Sequence, residues 1–165
     1  MSDRYVRMQV FDLAVDEAAE SVLLVLQGEA GESLVMAIGL PEATAIAKEL
    51  QEAEFPRPLT HDLMRDIVAE LGAALLRVEV VALRDGTYFA ELVMRDASGQ
   101  ERRIDSRPSD AVALALRTDA AIFANEQVVT QAESEAQEFP PPTDKEGWKK
   151  ILEDMDPEDF GKYKM

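Results

Sequence analysis

The sequence predicts an α+β domain in which mixed or antiparallel sheets pack against helices. Three observations support this fold class: segments whose apolar residues alternate, segments with apolar residues at helical spacing, and turn residues between them. The chain has 165 residues, of which 47% are hydrophobic, and this is enough for one core. We therefore expect one globular domain over residues 1–130 and a C-terminal tail over residues 131–165.

The first third of the chain predicts three strands and then a helix. The segment "YVRMQVF" alternates between apolar and polar residues, whereas "SVLLVLQ" is apolar on both faces and predicts a covered strand. The turn residues "GEAGE" lead into a third strand, "SLVMAIG". The spacing then becomes helical in "LPEATAIAKELQEA", which has a proline suited to a first helical turn.

Two prolines in "EFPRPLT" end that helix and precede a second one. Thr60 is its predicted N-cap, and Gly72 is its predicted end. Beyond it, the strands "LLRVEVVAL" and "TYFAELVMR" flank Asp85-Gly86, which is a strong signal for a two-residue hairpin loop.

The last part of the domain predicts a strand, a buried helix and a further strand. "ERRID" is the strand, Ser109 is the predicted cap of the helix "DAVALALR", and "AAIFANEQVV" predicts the final strand. After residue 131 the acidic, proline-rich "QAESEAQEFPPPTD" predicts a linker. A short amphipathic helix, "KEGWKKILEDM", is predicted to follow it.

A short pattern occurs twice in the chain. "EATAIA" (42–47) and "DAVALA" (110–115) both read acid-Ala-x-Ala-aliphatic-Ala, and each follows a proline and a strand. This echo predicts an internal duplication of a strand-strand-strand-helix unit.

Charge and composition exclude several classes of protein. The formal net charge of −16 argues against long-range attraction to nucleic acid, although residues 77–117 hold seven arginines against seven acids and are neutral. The chain has no cysteine, so it has neither disulfides nor thiolate chemistry, and it has no glycine-rich phosphate loop. We expect a cytoplasmic protein without a membrane span and without an organic cofactor.

Two polar clusters at predicted helix starts are the candidate sites. The first is "FPRPLTHDLM", which holds His61, the only histidine, beside Asp62 and downstream of Arg57. Histidine is suited to general acid–base catalysis, and Arg57 to binding a phosphate. The same residues also suit a helix start with a solvated face, because an acid in the first turn favours the helix dipole.

The second cluster is "IDSRPSDAVALAL", at a predicted strand-to-helix junction. Asp105 and Asp110 lie five positions apart and could share a Mg²⁺ ion, while Arg107 and Ser109 could bind an anion. A purely structural interpretation is also open, in which Ser109 and Asp110 serve the helix start and Arg107 pairs with Asp105.

Four segments follow one another along the chain: "IGLPEATAIAKEL", "FPRPLTHDLM", "LRDGTYFAEL" and "IDSRPSDAVALALR". In their order and spacing they resemble the bifunctional nuclease domain family. The resemblance covers roughly residues 5 to 130 and implies an α+β domain that self-associates, with members acting on RNA and DNA. It matches the family's polar motifs at Arg57, Thr60, His61, Asp62, Asp105, Arg107, Ser109 and Asp110, without assigning their roles. The acidic C-terminal segment departs from relatives that carry a helical hairpin there.

Two functions are therefore expected to compete. The first is a nuclease assisted by Mg²⁺ or Mn²⁺, with His61, Asp62, Asp105 and Asp110 as catalytic residues and Asp105 and Asp110 as metal ligands. Arg57, Arg107 and Ser109 would bind the nucleic acid. The alternative is a non-enzymatic, self-associating binding or regulatory module. In either case we expect a homo-oligomer, a dimer in its simplest form.

Overall fold

A computed structural model describes residues 4–17 and 20–136 of the chain. Within these residues, four helices pack with one mixed sheet of seven strands, so the predicted α+β class is confirmed. The predicted helix after residue 144 and most of the predicted linker lie outside the described residues. No described helix is both long and apolar enough to cross a bilayer.

The seven strands follow the predicted positions closely. Their bounds are β1 Tyr5–Asp16, β2 Ser21–Gly28, β3 Ser33–Ile38, β4 Ala74–Arg84, β5 Thr87–Arg95, β6 Glu101–Ser106 and β7 Ala121–Asn125. Asp85 and Gly86 both have positive φ, at 50° and 73°, as a tight two-residue hairpin between β4 and β5 requires. The hairpin prediction is confirmed.

The strand order in the sheet is β3-β2-β1-β7-β4-β5-β6. The pair β4–β7 is parallel, and the other five pairs are antiparallel. Strands β1–β3 and β4–β6 form two antiparallel groups. The last strand, β7, lies between β1 and β4 and joins the two groups into a single sheet.

The helices are α1 Leu40–Leu50, α2 Thr60–Glu70, α3 Pro108–Thr118 and α4 Glu126–Ala136. Helices α1 and α3 lie side by side, and their small side chains Ala43, Ala47, Ala111 and Ala115 are at most 2% exposed. Small residues let two helices and a sheet approach closely, which explains why the helices are rich in alanine. One core cluster includes residues from both helices and from most strands.

The structure corrects the two predicted caps. Helix α2 has Leu59 as its N-cap, because the carboxylate of Asp62 accepts a hydrogen bond from the Leu59 N–H at 2.8 Å; Thr60 is the first helical residue. Helix α3 has Arg107 as its N-cap and Pro108 in the first turn, so Ser109 is a buried residue inside the helix. A proline suits the first helical position, because its fixed φ is helical and its missing N–H would have no partner within the helix there.

The predicted last strand is also shorter than expected. It ends at Asn125, and the rest of that segment begins α4, which continues to Ala136. Val128, Val129 and Ala132 are buried along this helix. Ala132 follows Val129 by three residues and Val128 by four, which is helical spacing, but the strand-like run before it hides this signal. Residues 131–136 are therefore helical, although the sequence predicts a linker there.

The order of elements repeats three strands and a helix twice, as β1-β2-β3-α1 and β4-β5-β6-α3. The two units differ in their extensions, since α2 is inserted between them and β7 with α4 follows the second. An internal duplication remains a prediction.

Candidate functional site

The first turns of three helices surround a cleft of about 610 Å³. Helix α1 contributes Glu42, α2 contributes His61, and α3 contributes Asp110, with Arg107 just before it. The remaining lining residues are mainly apolar: Leu40, Pro41, Thr44, Ala45, Pro58, Leu59 and Thr60. The cleft thus combines an apolar wall with four ionisable side chains.

A chain of polar contacts crosses this cleft. The Nε2 atom of His61 lies 2.9 Å from Oδ1 of Asp110, and the guanidinium of Arg107 donates to the other oxygen of Asp110 at 2.6 Å. Arg107 also lies 3.1 Å from a carboxylate oxygen of Glu42. This contact places the histidine of the first polar cluster against an aspartate of the second one.

The His61–Asp110 contact determines which nitrogen of the neutral imidazole carries the proton. An ionised carboxylate can only accept a hydrogen bond, so Nε2 of His61 is the donor and Nδ1 is the basic nitrogen of the neutral ring. Burial raises the pKa of Asp110, but hydrogen bonds from Arg107 and His61 outweigh that effect and hold the pKa below its usual value. Asp110 is therefore ionised at neutral pH and holds His61 in one tautomer.

The electrostatics of the cleft are mixed. The positive ends of three helix dipoles face it and favour an anion, whereas Glu42 and Asp110 partly neutralise them. The Arg107 side chain is 65% exposed and is the one cation of the cleft among the described residues. A phosphate group would find its strongest partner at Arg107, because guanidinium binds phosphate oxygens in a bidentate manner.

Asp62 belongs to a second, buried ion cluster on the other side of α2's first turn. Its Oδ1 atom accepts from Nε of Arg117 at 2.7 Å and lies 3.4 Å from Nζ of Lys48. Arg117 Nε is also 3.7 Å from a carboxylate oxygen of Glu49, and the Arg117 side chain is fully buried. Through this cluster Asp62, the residue next to His61, holds the start of α2 against the C-terminal turns of α1 and α3. Its side-chain contacts therefore lie outside the cleft.

Asp62 and Asp110 predict a loss of stability in acid. For Asp62, burial raises the pKa, but hydrogen bonds from the Leu59 N–H and Arg117 outweigh burial and hold the pKa below its usual value. Because both carboxyls have folded-state pKa values below the unfolded value of about 4, their stabilisation is complete above that value and is lost as the pH falls through the folded pKa values. Urea unfolding at pH 7, 5, 4 and 3 should show a steady fall in the unfolding free energy below about pH 5. An unchanged unfolding free energy between pH 7 and pH 3 would contradict this assignment.

Besides Asp62, three predicted site residues lie outside the His61–Asp110 contact. Asp105 is on edge strand β6 directly opposite Glu91, whereas its neighbours Ile104 and Ser106 pair with the buried core residues Leu92 and Ala90 of β5. Its side chain therefore projects from the sheet face away from the helices that carry the cleft. Ser109 is 6% exposed and borders a neighbouring pocket, and Arg57 lines a separate cleft of about 320 Å³ beyond Pro58.

The arginines between residues 77 and 117 are mostly paired with acids. Arg77 and Arg103 both bond to Glu79, which is only 3% exposed, and Arg102 pairs with Asp96. Burial raises the pKa of Glu79, but bonds from Arg103 and Arg77 outweigh it and lower the pKa below its usual value. These three arginines therefore neutralise carboxylates of the same sheet.

Two residues that sequence reasoning missed are Glu42 and Arg117. The repeated six-residue pattern holds a signal for them: Glu42 is the equivalent of Asp110, and seven positions later Glu49 is the equivalent of Arg117. In the structure both equivalent pairs meet across α1 and α3, since Arg107 bridges Glu42 and Asp110, while Arg117 lies near Glu49. Contacts at both ends of these helices show that α1 and α3 run in the same direction.

The chain is similar to several known proteins. An uncharacterised protein of Mycobacterium tuberculosis (strain H37Rv) is 38% identical over 149 residues, which are 86% of this chain and 88% of the relative. Bifunctional nuclease 1 of Oryza sativa subsp. japonica and a bifunctional nuclease of Oryza minuta are each 25% identical over 120 residues. The match covers 70% of this chain but 36% of each rice protein.

A family match agrees with these similarities and with the fold. Residues 23–137 match the bifunctional nuclease domain, and this range includes every residue of the cleft and of the buried ion cluster. The resemblance that the four sequence segments indicate is confirmed. The chain belongs to the bifunctional nuclease domain family.

Proposed function

We propose that this protein is a nuclease that hydrolyses phosphodiester bonds of RNA, DNA or both in the cleft between α1, α2 and α3. The observation that carries the proposal is the hydrogen-bonded chain His61–Asp110–Arg107 inside a cleft of a nuclease-family domain. The rice relatives named as bifunctional nucleases support the same activity.

Each of the three side chains has a role in the proposed hydrolysis. His61 takes a proton from the attacking water through Nδ1 as the water oxygen bonds to phosphorus, because Asp110 occupies Nε2 and stabilises the imidazolium that forms. The P–O bond to the leaving sugar oxygen breaks, and that oxygen takes a proton from solvent. Arg107 binds the phosphate and stabilises the charge that grows on its oxygens in the transition state. This arrangement needs the Arg107 guanidinium to give up part of its bonding to Glu42 and Asp110 when the phosphate binds.

Assistance by Mg²⁺ or Mn²⁺ is part of the proposal. Among the described residues no three acidic or histidine side chains are grouped as a metal site. However, Mg²⁺ commonly binds through one or two carboxylates and completes its shell with water and substrate phosphate oxygens. Glu42 and Asp110 are the two carboxylates of the cleft that fit this mode. A cation held there would neutralise charge on the phosphate.

Self-association as a homo-oligomer also remains a proposal, and with it the alternative function of a non-enzymatic binding module. An apolar stripe on α2 supports it: Leu63, Ile67 and Leu71 lie four residues apart and are 53%, 49% and 70% exposed. Leucine and isoleucine exposed in a row are typical of a surface that another chain covers. Assembly and hydrolysis are compatible, because this stripe does not line the cleft.

The test is cleavage of labelled RNA and DNA by the purified protein with Mg²⁺, Mn²⁺ or EDTA. We expect EDTA to abolish cleavage, and we expect Arg107→Gln to lower kcat/KM at least about tenfold, because a charge-assisted bond to phosphate contributes on the order of 1.5 kcal/mol. The matched control is Arg102→Gln, since Arg102 is similarly exposed (60% against 65%) but pairs with Asp96 away from the cleft. A protein that cleaves neither polymer under any of these conditions refutes the proposal, and so does equal loss in both variants.

A further inference from the structure

We propose that the cleft accepts a single unpaired nucleotide, with its base on the apolar wall, so that the substrate of this protein is single-stranded. This inference rests on the proposed nuclease function and names its substrate class. Two observations carry it: the chemistry of the cleft wall and the pairing of the arginines elsewhere on the domain.

The wall of the cleft is apolar and open at its rim. Leu40 is 52% exposed, Pro41 and Pro58 are exposed, and Ala45 forms a buried floor. An aliphatic surface of this kind has no donors or acceptors with which to follow a sugar-phosphate backbone, but it covers the flat face of a base well. The volume of about 610 Å³ is of the size that holds one small organic ligand.

The polar groups of the cleft are bonded to one another. His61, Asp110 and Arg107 form one connected group, so a phosphate bound by Arg107 is adjacent to a base on the Leu40 side. A base inside a duplex is stacked and paired, and it can reach such a wall only if it leaves the stack, which costs a few kcal/mol. A single strand presents its bases without most of that cost.

The net charge of the chain does not favour binding of a duplex, so it does not offset the cost of taking a base out of the stack. Binding of duplex rests on many cationic contacts with phosphates, whereas this chain has a net charge of −16 and most arginines of β4–β6 are paired with acids. The cleft itself offers one cation, Arg107, among the described residues. Within the cleft, recognition therefore comes from one phosphate and one base.

The experiment compares kcat/KM for a 20-nucleotide single strand with kcat/KM for the same sequence closed into a hairpin-capped duplex, as RNA and as DNA. We expect the single strand to be preferred at least about thirtyfold, since a cost of a few kcal/mol for unstacking has no other compensation. Adenosine 5′-monophosphate should inhibit at a concentration at least about tenfold lower than ribose 5-phosphate does, because only the former carries a base for the apolar wall.

Two matched variants test the wall itself. Leu40→Ser should lower kcat/KM for the single strand about tenfold through loss of apolar contact, whereas Leu50→Ser, at the other end of α1 and 43% exposed, should leave it unchanged. Thermal unfolding of both variants shows whether the fold survives. Equal cleavage of duplex and single strand overturns this inference, and so does equal inhibition by adenosine 5′-monophosphate and ribose 5-phosphate. Neither result contradicts the proposed nuclease function. If no polymer is cleaved, both proposals fall.

Discussion

Asp110→Asn should lower kcat/KM for nucleic-acid cleavage by about 10²–10⁴-fold, which is the range that positioned proton transfer contributes. The substitution keeps the shape of the side chain but removes the charge that stabilises a protonated His61. It also lets the side chain present an N–H₂ group to Nε2, which would favour the opposite tautomer of the imidazole. Most of the loss should appear in kcat, because the phosphate still binds to Arg107.

The matched control is Asp105→Asn, the same change of residue type and charge five positions earlier. Asp105 projects from the sheet face away from the cleft, so we expect its variant to retain cleavage within about twofold. Both variants should be measured alongside wild type by single-turnover kinetics, and urea unfolding should confirm that each is folded. A large loss in Asp105→Asn together with full activity in Asp110→Asn would place the chemistry on the other face of the sheet and refute the cleft.

Arg117→Met should destabilise the fold by about 3–5 kcal/mol, the cost of removing one partner of a buried ion pair. The Arg117 side chain is fully buried, donates to Asp62 at 2.7 Å and donates to the Ala113 carbonyl at 2.8 Å. Methionine fills much of the volume, but Asp62 keeps only Lys48, at 3.4 Å, as a charged partner. The measurement is the unfolding free energy in urea at pH 7.

Arg65→Met is the matched control for this effect. Arg65 also pairs with an aspartate, Asp66, at 2.8 Å, but its side chain is 42% exposed, so its loss should cost less than about 1 kcal/mol. A second variant, Arg117→Met combined with Asp62→Leu, should recover part of the stability, because neither charge is then buried alone. Equal effects in Arg117→Met and Arg65→Met would contradict the role given to the buried cluster.

The buried cluster also bears on the proposed chemistry. Asp62 anchors the first turn of α2 to α1 and α3, and His61 is its neighbour in that turn. The position of the imidazole against Asp110 therefore depends on contacts made behind it. Asp62 would thus affect hydrolysis only by positioning His61. Its place beside the histidine in the sequence does not show that its side chain contacts α1 and α3 instead of the cleft.

The sequence alone determined the fold class and most of the elements. Alternation in β1, β4 and β5, the Asp85-Gly86 hairpin and the proline-led helix α1 are local signals, because a strand, a turn or a helix start depends on residues a few positions apart. The end of β7 was missed because its strand-like run continues without a break into the apolar face of α4.

The candidate site was predictable only in part. His61, Asp110 and Arg107 stand out as polar residues at helix starts, and the structure brings them together. Asp105 stands out equally in the sequence, but one step along a strand turns a side chain to the opposite face. Glu42 belongs to the cleft only because α1 and α3 lie side by side.

Tertiary structure alone decided which charges are buried. Asp62 and Arg117 are 55 positions apart, so local sequence does not show that they pair, whereas Arg107 at the start of the same helix is exposed. The two arginines differ in exposure because α2 packs against the C-terminal turns of α1 and α3. This packing covers Arg117 and leaves Arg107 at the cleft. Local sequence sets the type of each element, whereas contacts between distant elements set which side chains water can reach.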